Sequence, residues 1–583
     1  MNILNPIFTE QTECQDCYKC IRQCPVKAIR VENGHAMVIP ELCIMCGRCV
    51  IHCPAKAKHV RDDLMKTKQL FSLKPRVVAS LAPSFASEFP EYTKEQLIYA
   101  LKKLGFWGVS ETAIGADLVS AQIAKDLVQA SKNKDGQKLF ISSACPSCVE
   151  FIKHFMGDYA HYITDCSSPL LAHSRFLKQT FGEDTGVVFI GPCIAKKREA
   201  DIWKTIDSAL TFIDLRRWFD SEGITPSSLR SLPEEQGFIP FRAGKGTYYP
   251  VGGGMIESCR KYDSLAQVRT LSITGIEEIR SALEGLKNED LSQSLFIEVL
   301  ACEGGCVNGP GSAADSSLAI RNVRIGEYAE TAPDTLDEQL LNSVSDLRGT
   351  LPVTVQEKMK HSDDDIRFAL RSVGKYSRTD ELNCASCGYD TCRLFAEAML
   401  DNRAEKTMCV SYMRKLAQKK ANGLIRAIPG GVVIADRALK IVECNKSFAH
   451  LMGSDITVMY EAKPGLEGAD LTKIIPFYRF FSDVLALNGP DVIEREVRSG
   501  KKIFHVSVFA IEKEEAAGAV IEDITAPQIQ RHRIVSQAKK VIDKNLSVVQ
   551  KIAFLLGENA AESESILNSI IDSFSEEDGD GEE

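Results

Sequence analysis

With 583 residues, 44% apolar and 26% charged, the chain has the composition of a globular protein and more length than one core fills, so several domains are expected. Its net charge of −9 excludes the basic surface that sequence-independent nucleic-acid binding requires. No signal-peptide pattern opens the sequence and no apolar run approaches the ~20 residues of a membrane span, so a cytoplasmic chain without membrane contact is expected.

Twenty cysteines are the outstanding feature. In a large chain of this kind they point to metal or redox chemistry rather than disulfides. Residues 14–25 read CQDCYKCIRQCP and residues 43–54 read CIMCGRCVIHCP. Both are C-x2-C-x2-C-x3-C-P, the bacterial ferredoxin run, in which three close thiolates hold one cubane and the fourth ligates its neighbour. Cys14, Cys17, Cys20 and Cys53 are assigned to one 4Fe–4S cluster. Cys43, Cys46, Cys49 and Cys24 are assigned to the second, in a ferredoxin-like domain over residues 1–65. Two zinc knuckles are the alternative, but zinc usually takes paired C-x2-C units.

The middle of the chain holds cysteines far apart. Cys145 lies in SSACPSC (142–148), Cys193 in IGPCIAKKRE (190–199), and Cys302 and Cys306 in VLACEGGCVNGPGS (299–312). Cys302 and Cys306 share a face if their segment is helical. Gly304, Gly305, Gly309 and Gly311 let backbone approach a bulky group. Three loops meeting at one place would build a non-local cluster; ordinary burial is the alternative for isolated cysteines.

Residues 351–378 are read as a linker. Residues 379–419 carry a third array, Cys384, Cys387, Cys392 and Cys409, spaced C-x2-C-x4-C-x16-C. The gap RLFAEAMLDNRAEKTM is predicted as helix, with Phe395, Met399 and Ala404 among its apolar positions, returning the last thiolate to the loop of the other three. Four cysteines without histidine fit a 4Fe–4S cluster, with zinc as the alternative.

Residues 420–526 suggest a PAS domain. GVVIAD (431–436) and LKIVEC (439–444) read as strands flanking a turn, and NKSFAHLMG (445–453) as a helix capped by asparagine and stopped by Gly453. KIFHVSVFAIE (502–512) alternates as a strand does, and AVIEDIT (519–525) resembles a closing PAS strand. A generic α+β domain is the alternative. Residues 527–575 look helical, with Val535, Ile542, Val549 and Leu556 every seven, consistent with a dimerising coiled coil or a helix packed back on the domain. EEDGDGEE (576–583) reads as a disordered acidic tail.

The three middle segments together resemble the iron-only (FeFe) hydrogenases, over roughly residues 1–350. The family motif Thr-Ser-Cys-Cys-Pro-x-Trp is Ser142-Ser143-Ala144-Cys145-Pro146-Ser147-Cys148 here. Met-Pro-Cys-x-x-Lys-Lys-x-Glu is Gly191-Pro192-Cys193-Ile194-Ala195-Lys196-Lys197-Arg198-Glu199, and Glu-x-Met-Ala-Cys-x-x-Gly-Cys is Glu298-Val299-Leu300-Ala301-Cys302-Glu303-Gly304-Gly305-Cys306. The resemblance implies an H-cluster, a 4Fe–4S cubane joined to a two-iron unit with CO, cyanide and azadithiolate. By that likeness Cys145, Cys193, Cys302 and Cys306 hold the cubane and Cys306 bridges to the two-iron unit. Lys196 would hydrogen-bond one cyanide, and backbone at Pro83 and Ser84 would meet the other.

The departures from the family concern protons. The residue before Cys145, a proton-relay cysteine in the family, is Ala144, and loss of such a group costs typically ~10²–10⁴-fold. Gly191 and Leu300 replace methionines and Cys148 a tryptophan. Leu170 and Leu171 follow Ser168-Pro169 where glutamine is usual, and Ser120-Ala121-Gln122-Ile123 replaces an acidic pair. Glu199 and Ser168 remain from the family's path.

The expected architecture is a multidomain α+β and α/β chain. It has a ferredoxin-like 2×4Fe–4S domain, an α/β H-cluster domain over 75–350, a small helical four-cysteine cluster domain, a PAS domain and C-terminal helices over 527–583. This order resembles the sensory FeFe hydrogenases. Three accessory 4Fe–4S clusters and the H-cluster are the expected cofactors. H2 and protons, a redox partner such as ferredoxin, a separate signalling kinase or phosphatase, and a second copy in a homodimer are the expected partners, without nucleic acid or membrane. A slow hydrogenase exchanging electrons with ferredoxin, and an electron-transfer protein like the cytosolic iron–sulfur assembly proteins, are the rivals. Cys148, Cys166, Cys259 and Cys444 are left over, read as structural, with Cys148 and Cys166 as alternative proton relays.

Overall fold

The computed structural model describes residues 5–133, 136–229, 237–337, 341, 346–353 and 360–525. The expected C-terminal helices and acidic tail lie outside these residues. The chain divides into two compact units, Met1–Glu405 and Lys406–Glu583.

The first unit begins with two antiparallel strand pairs. Ile7–Thr9 pairs with Lys58–Val60, and Ile29–Glu32 pairs with His35–Val38 across an Asn33-Gly34 turn. Both turn residues have positive φ, 54° and 83°, which an Asn-Gly hairpin turn requires. The two cysteine runs repeat at an offset of 29 positions, and the backbone repeats with them. Asp16 and Met45, Tyr18 and Gly47, and Lys27 and Lys56 are all left-handed, and Lys19–Gln23 and Arg48–Ile51 are the matching short helices.

Two parallel sheets follow. One has the order Gly108–Glu111, Val77–Leu81, Gly186–Gly191, Ser208–Thr211; the other has the order Val268–Thr274, Ser294–Leu300, Leu139–Ile141. Strands Val77–Leu81 and Gly186–Gly191 are buried throughout, as strands covered on both faces are. Helix Ala113–Ser131 crosses helix Pro169–Phe181 closely at Gly115. A Cβ there would fall 2.0 Å from the Pro169 carbonyl oxygen.

Two expectations in this unit are corrected. The stretch read as a linker contains helix Asp363–Ser372, started by a reciprocal Ser362–Asp365 capping box and packed through Ile366, Ala369 and Leu370 onto helix Cys392–Leu400. Its three leading aspartates mask the apolar stripe. The helix expected through residue 408 stops at Leu400, where Asn402 turns left-handed at φ 55°, and Ala404 lies beyond it.

The second unit holds helix Val410–Ala427 and a five-stranded antiparallel sheet ordered Ile441–Cys444, Gly431–Asp436, Ala516–Asp523, Lys502–Glu512, Val492–Ser499. Asn445 caps helix Lys446–Met452 and is fully buried. Its oxygen accepts from Phe448 and Val432 N–H, and its amide donates to the carbonyls of Ile425, Ile428 and Gly430. One side chain thus fastens the end of the long helix to the sheet. Phe448, Phe481, Phe504 and Phe477 fill the core beneath.

Candidate metal centre and active site

Parallel sheets present ligands at the carboxyl ends of their strands, and the three central cysteine loops all start there. Strand Leu139–Ile141 runs into Cys145, Gly186–Gly191 into Cys193, and Ser294–Leu300 into Cys302. Cys145 then opens helix Pro146–Phe155 and Cys193 precedes helix Ala195–Ile202. The segment after Cys302 is not helical. Gly304 and Gly305 both have positive φ, 77° and 98°, so Cys306 is reached by a turn rather than along a helix face. A Cβ on Gly305 would stand 2.5 Å from the Pro250 carbonyl oxygen, and one on Gly309 would stand 2.6 Å from that of Pro192.

The four thiols lie in one another's electrostatic field. Cys306 feels Cys145, Cys193 and Lys196, and Cys302 feels Cys306, Cys193 and Cys145. Burial pushes the Cys193 thiol up to about 11. Cys145 moves the other way, to about 6, because the Cys148 thiol donates to its sulfur and outweighs burial. Lys196 is buried and donates to Glu199. Burial works against its charge, yet Glu199, Cys193 and Cys145 hold its pKa above the usual lysine value. Four sulfur donors without histidine, a buried ammonium suited to anionic ligands, and glycines where backbone closes in fit a cubane bearing anionic ligands.

Other expected residues take different places. Ala82 N–H donates to the Ile190 carbonyl at 2.9 Å, which sets the buried Pro83-Ser84 turn beside the Cys193 loop. Ser168 caps helix Pro169–Phe181, accepting from Leu171 N–H at 3.3 Å. Ala144 packs with the apolar core of helix Ala113–Ser131. Leu170, Leu171 and Ile123 are all within 1% of complete burial, and Gln122 points to Asp126 at 2.8 Å. Ser120 meets the Tyr249 hydroxyl at 2.9 Å. At Gly191 a Cβ would meet the Phe189 ring at 2.4 Å, so the family's methionine has no room here.

The N-terminal runs combine as two crossed sets. Cys20 feels Cys17, Cys14 and Cys53, while Cys49 feels Cys43, Cys24 and Cys46. Cys302 also feels Cys46, which brings the second set near the central site. Tyr389 is buried and feels both Cys387 and Cys24, and Arg22 donates to the Ser386 carbonyl at 3.3 Å, so the third array lies against the first cysteine run. Cys384, Cys387 and Cys392 belong to the first unit, and Cys409 opens helix Val410–Ala427 of the second.

Sequence reasoning missed several buried charges. Lys58 donates to Thr9 and to the Ala36 carbonyl and acts on both Cys20 and Cys49. Lys197, fully buried, bonds Asp63 at 3.2 Å and Asp214 at 3.1 Å, and Arg61 pairs with Asp63 and Asp201, locking the first ferredoxin-like segment to the sheets. Glu298 accepts from Met255 N–H at 3.2 Å, its second oxygen has no partner among the described residues, and burial lifts its carboxyl to about 7. A glutamate inside the apolar run LFIEVLA was the available signal.

Residues 75–310 match the family described as iron only hydrogenase large subunit, C-terminal domain, and residues 6–54 match the 4Fe-4S dicluster domain. Residues 380–411 match an Fe-S cluster family and residues 420–489 the PAS domain. The chain is 23% identical over 314 residues to iron hydrogenase 1 of Clostridium pasteurianum, covering 46% of this chain and 54% of that protein. It is 25% identical over 369 residues to the periplasmic Fe hydrogenase large subunit of Nitratidesulfovibrio vulgaris, covering 53% and 86%. It is also 25% identical over 327 residues to cytosolic iron-sulfur assembly component 3 of Rattus norvegicus, covering 47% and 65%. The chain therefore carries an FeFe-hydrogenase-like domain, a 4Fe–4S dicluster domain, an Fe–S domain and a PAS domain. No described helix is long and apolar enough to cross a membrane.

Proposed function

We propose that this protein is an H2- and redox-responsive relative of the FeFe hydrogenases. In this reading it turns over H2 slowly and reversibly and reports its state through iron–sulfur clusters to the PAS domain and a separate partner. The observation that carries the reading is the pairing of a complete four-thiol site and buried Lys196 with apolar residues at the positions where related chains move protons. An H-cluster, when bound, would supply heterolytic cleavage of H2 to two protons and two electrons. Cys145, Cys193, Cys302 and Cys306 would hold it, and Lys196 would turn from Glu199 toward an anionic ligand. Ala144 can neither take nor give a proton, so exchange at the site is slow. A sensor needs binding and a change of state rather than speed. The coupling of Cys302 to Cys46, and of Tyr389 to both Cys24 and Cys387, supports an electron route outward.

The likeness to an iron–sulfur assembly component favours a second reading, an electron-transfer protein without the two-iron unit. Infrared spectroscopy of protein made with hydrogenase maturases separates the two. CO and cyanide bands that shift between H2 and inert gas are expected. Fixed bands would remove H2 as the input, and no bands would leave the second reading.

A further inference from the structure

The first unit has a cationic, aromatic face that no cluster site uses. Beside helix Asp363–Ser372 lies a cavity of about 120 Å³ lined by Arg367, Arg371, Lys375, Arg378 and Arg393, with Glu381 the one acidic side chain in its wall. Five cations on one cavity reverse the charge of a chain at −9 overall. Arg367 is engaged with Asp363 and Asp364, Arg393 with Asp363, and Lys375 donates to the Asp380 carbonyl at 2.7 Å. Arg371 and Arg378 are exposed and make no ion pair among the described residues. Around them stand Phe368 at 74% exposure, Tyr376 at 76%, Leu382 at 65% and Leu394 at 44%. Exposed aromatics interleaved with arginine are the composition of protein interfaces. The cavity is well below the ~300–1,000 Å³ of small-molecule sites.

Its position gives the second argument. Glu381 of the cavity wall stands three residues before Cys384, the exposed member of the third cysteine array. The array lies against the N-terminal segment, where Arg22 donates to the Ser386 carbonyl at 3.3 Å, and Arg48 of that segment pairs at 3.2 Å with Glu303, the residue after Cys302. We propose that this face docks an acidic electron-transfer protein, which in its reduced form passes one electron per encounter to an iron–sulfur cluster of the third array, at Cys384, Cys387 and Cys392, and leaves oxidised. Carboxylates of the partner meet Arg371 and Arg378, and its apolar contacts cover Phe368 and Tyr376. Long-range attraction between the two speeds encounter and weakens with salt. The proposal rests on reading the third array as an iron–sulfur site.

The test uses the full-length, cluster-loaded protein and an acidic bacterial two-cluster ferredoxin as probe, with binding measured calorimetrically at low and high ionic strength. Arg371→Glu combined with Arg378→Glu is expected to weaken binding at least tenfold at low salt, with iron content and infrared bands unchanged. Phe368→Ser is expected to weaken it at both ionic strengths. Equal affinity of the charge-reversed and native proteins would overturn the proposal. So would a DNA oligonucleotide, rather than ferredoxin, being the probe whose binding the variant loses. Iron analysis reads the third cluster separately. Reduced ferredoxin that binds through Arg371 and Arg378 but leaves the paramagnetic resonance signal of the third cluster unchanged would overturn the electron exchange while leaving the H2 reading intact.

Discussion

Around the four-thiol site, the ligand-bearing loops hold buried ion pairs, whereas Ala144, Ile123, Leu170 and Leu171 set hydrocarbon where the family resemblance implies proton transfer. Lys196 and Glu199 are buried together one turn after Cys193, and Glu150 and Arg198 pair at 2.8 Å close by. Ala144, Ile123, Leu170 and Leu171 fill the other segments with hydrocarbon. Desolvating an ion pair costs several kcal/mol, which apolar packing of equal volume would save. A site kept only for its packing would exchange those charges for hydrocarbon, as its flanking segments do. On the proposed function, the contrast separates holding an anionic cofactor from moving protons to it.

The largest effect is expected on the charged side. Lys196→Met leaves Glu199 buried without its cation, and breaking such a pair costs about 3–5 kcal/mol. The melting temperature of the loaded protein should fall, and the infrared bands of the two-iron unit should disappear while accessory-cluster spectra persist. Unchanged bands would mean that Lys196 holds no anionic ligand. On the apolar side, Ala144→Cys is expected to raise H2 turnover with a dye about 10²-fold, the low end of what a general acid–base group supplies. Leu170, Leu171 and Ile123 remain in the neighbouring segments, so full recovery is not expected. No gain would shift the bottleneck from Ala144 to those residues.

The accessory sites have a buried cation of their own in Lys58, which acts on both cysteine sets. Lys58→Met should lower the reduction potentials of both clusters, since an electron added to either loses a positive neighbour. At an effective dielectric near 20 the loss is about 1–2 kcal/mol, or roughly 40–90 mV per electron. Redox titration followed by electron paramagnetic resonance reads it. A shift confined to one cluster would place Lys58 beside that cluster alone.

Legibility in the sequence followed the distance over which each feature is built. The two N-terminal runs are local, and their offset of 29 carries even the left-handed residues from one copy to the other. Four strands of the second unit were readable for the same reason, while Val492–Ser499, charged and mostly exposed, was not read. The central site was legible through motifs, because four cysteines on three strand ends show no common period. Lys58 and Asp63 were invisible and Lys197 stood in a motif without its burial showing, since nothing along the chain marks which lysine will lose its water. Helix Asp363–Ser372 was hidden by a charged first turn that belongs to its cap.

Among the buried titratable groups on the apolar side is His173, and its protonation sharpens the contrast. His173 lies on helix Pro169–Phe181, fully buried, with Nδ1 at 2.8 Å from the Ser80 hydroxyl and Nε2 at 2.9 Å from that of Ser110. Burial lowers its pKa to about 3, so it stays neutral where an unfolded histidine, near 6.5, takes a proton. A lowered folded value means that the unfolded chain binds more protons below about pH 6.5. Stability is then full above that pH and is lost as pH falls toward 3. At pH 5.5 the loss from this one group is about 1.4 kcal/mol. His173→Gln keeps two hydrogen-bonding ends for Ser80 and Ser110 but cannot titrate. Melting both proteins at pH 7.5 and 5.5 cancels the contribution of the clusters. The native protein should lose more stability than the variant between the two pH values. Equal losses would mean that His173 takes up a proton in the folded state, and that a proton carrier remains among the residues that otherwise exclude one.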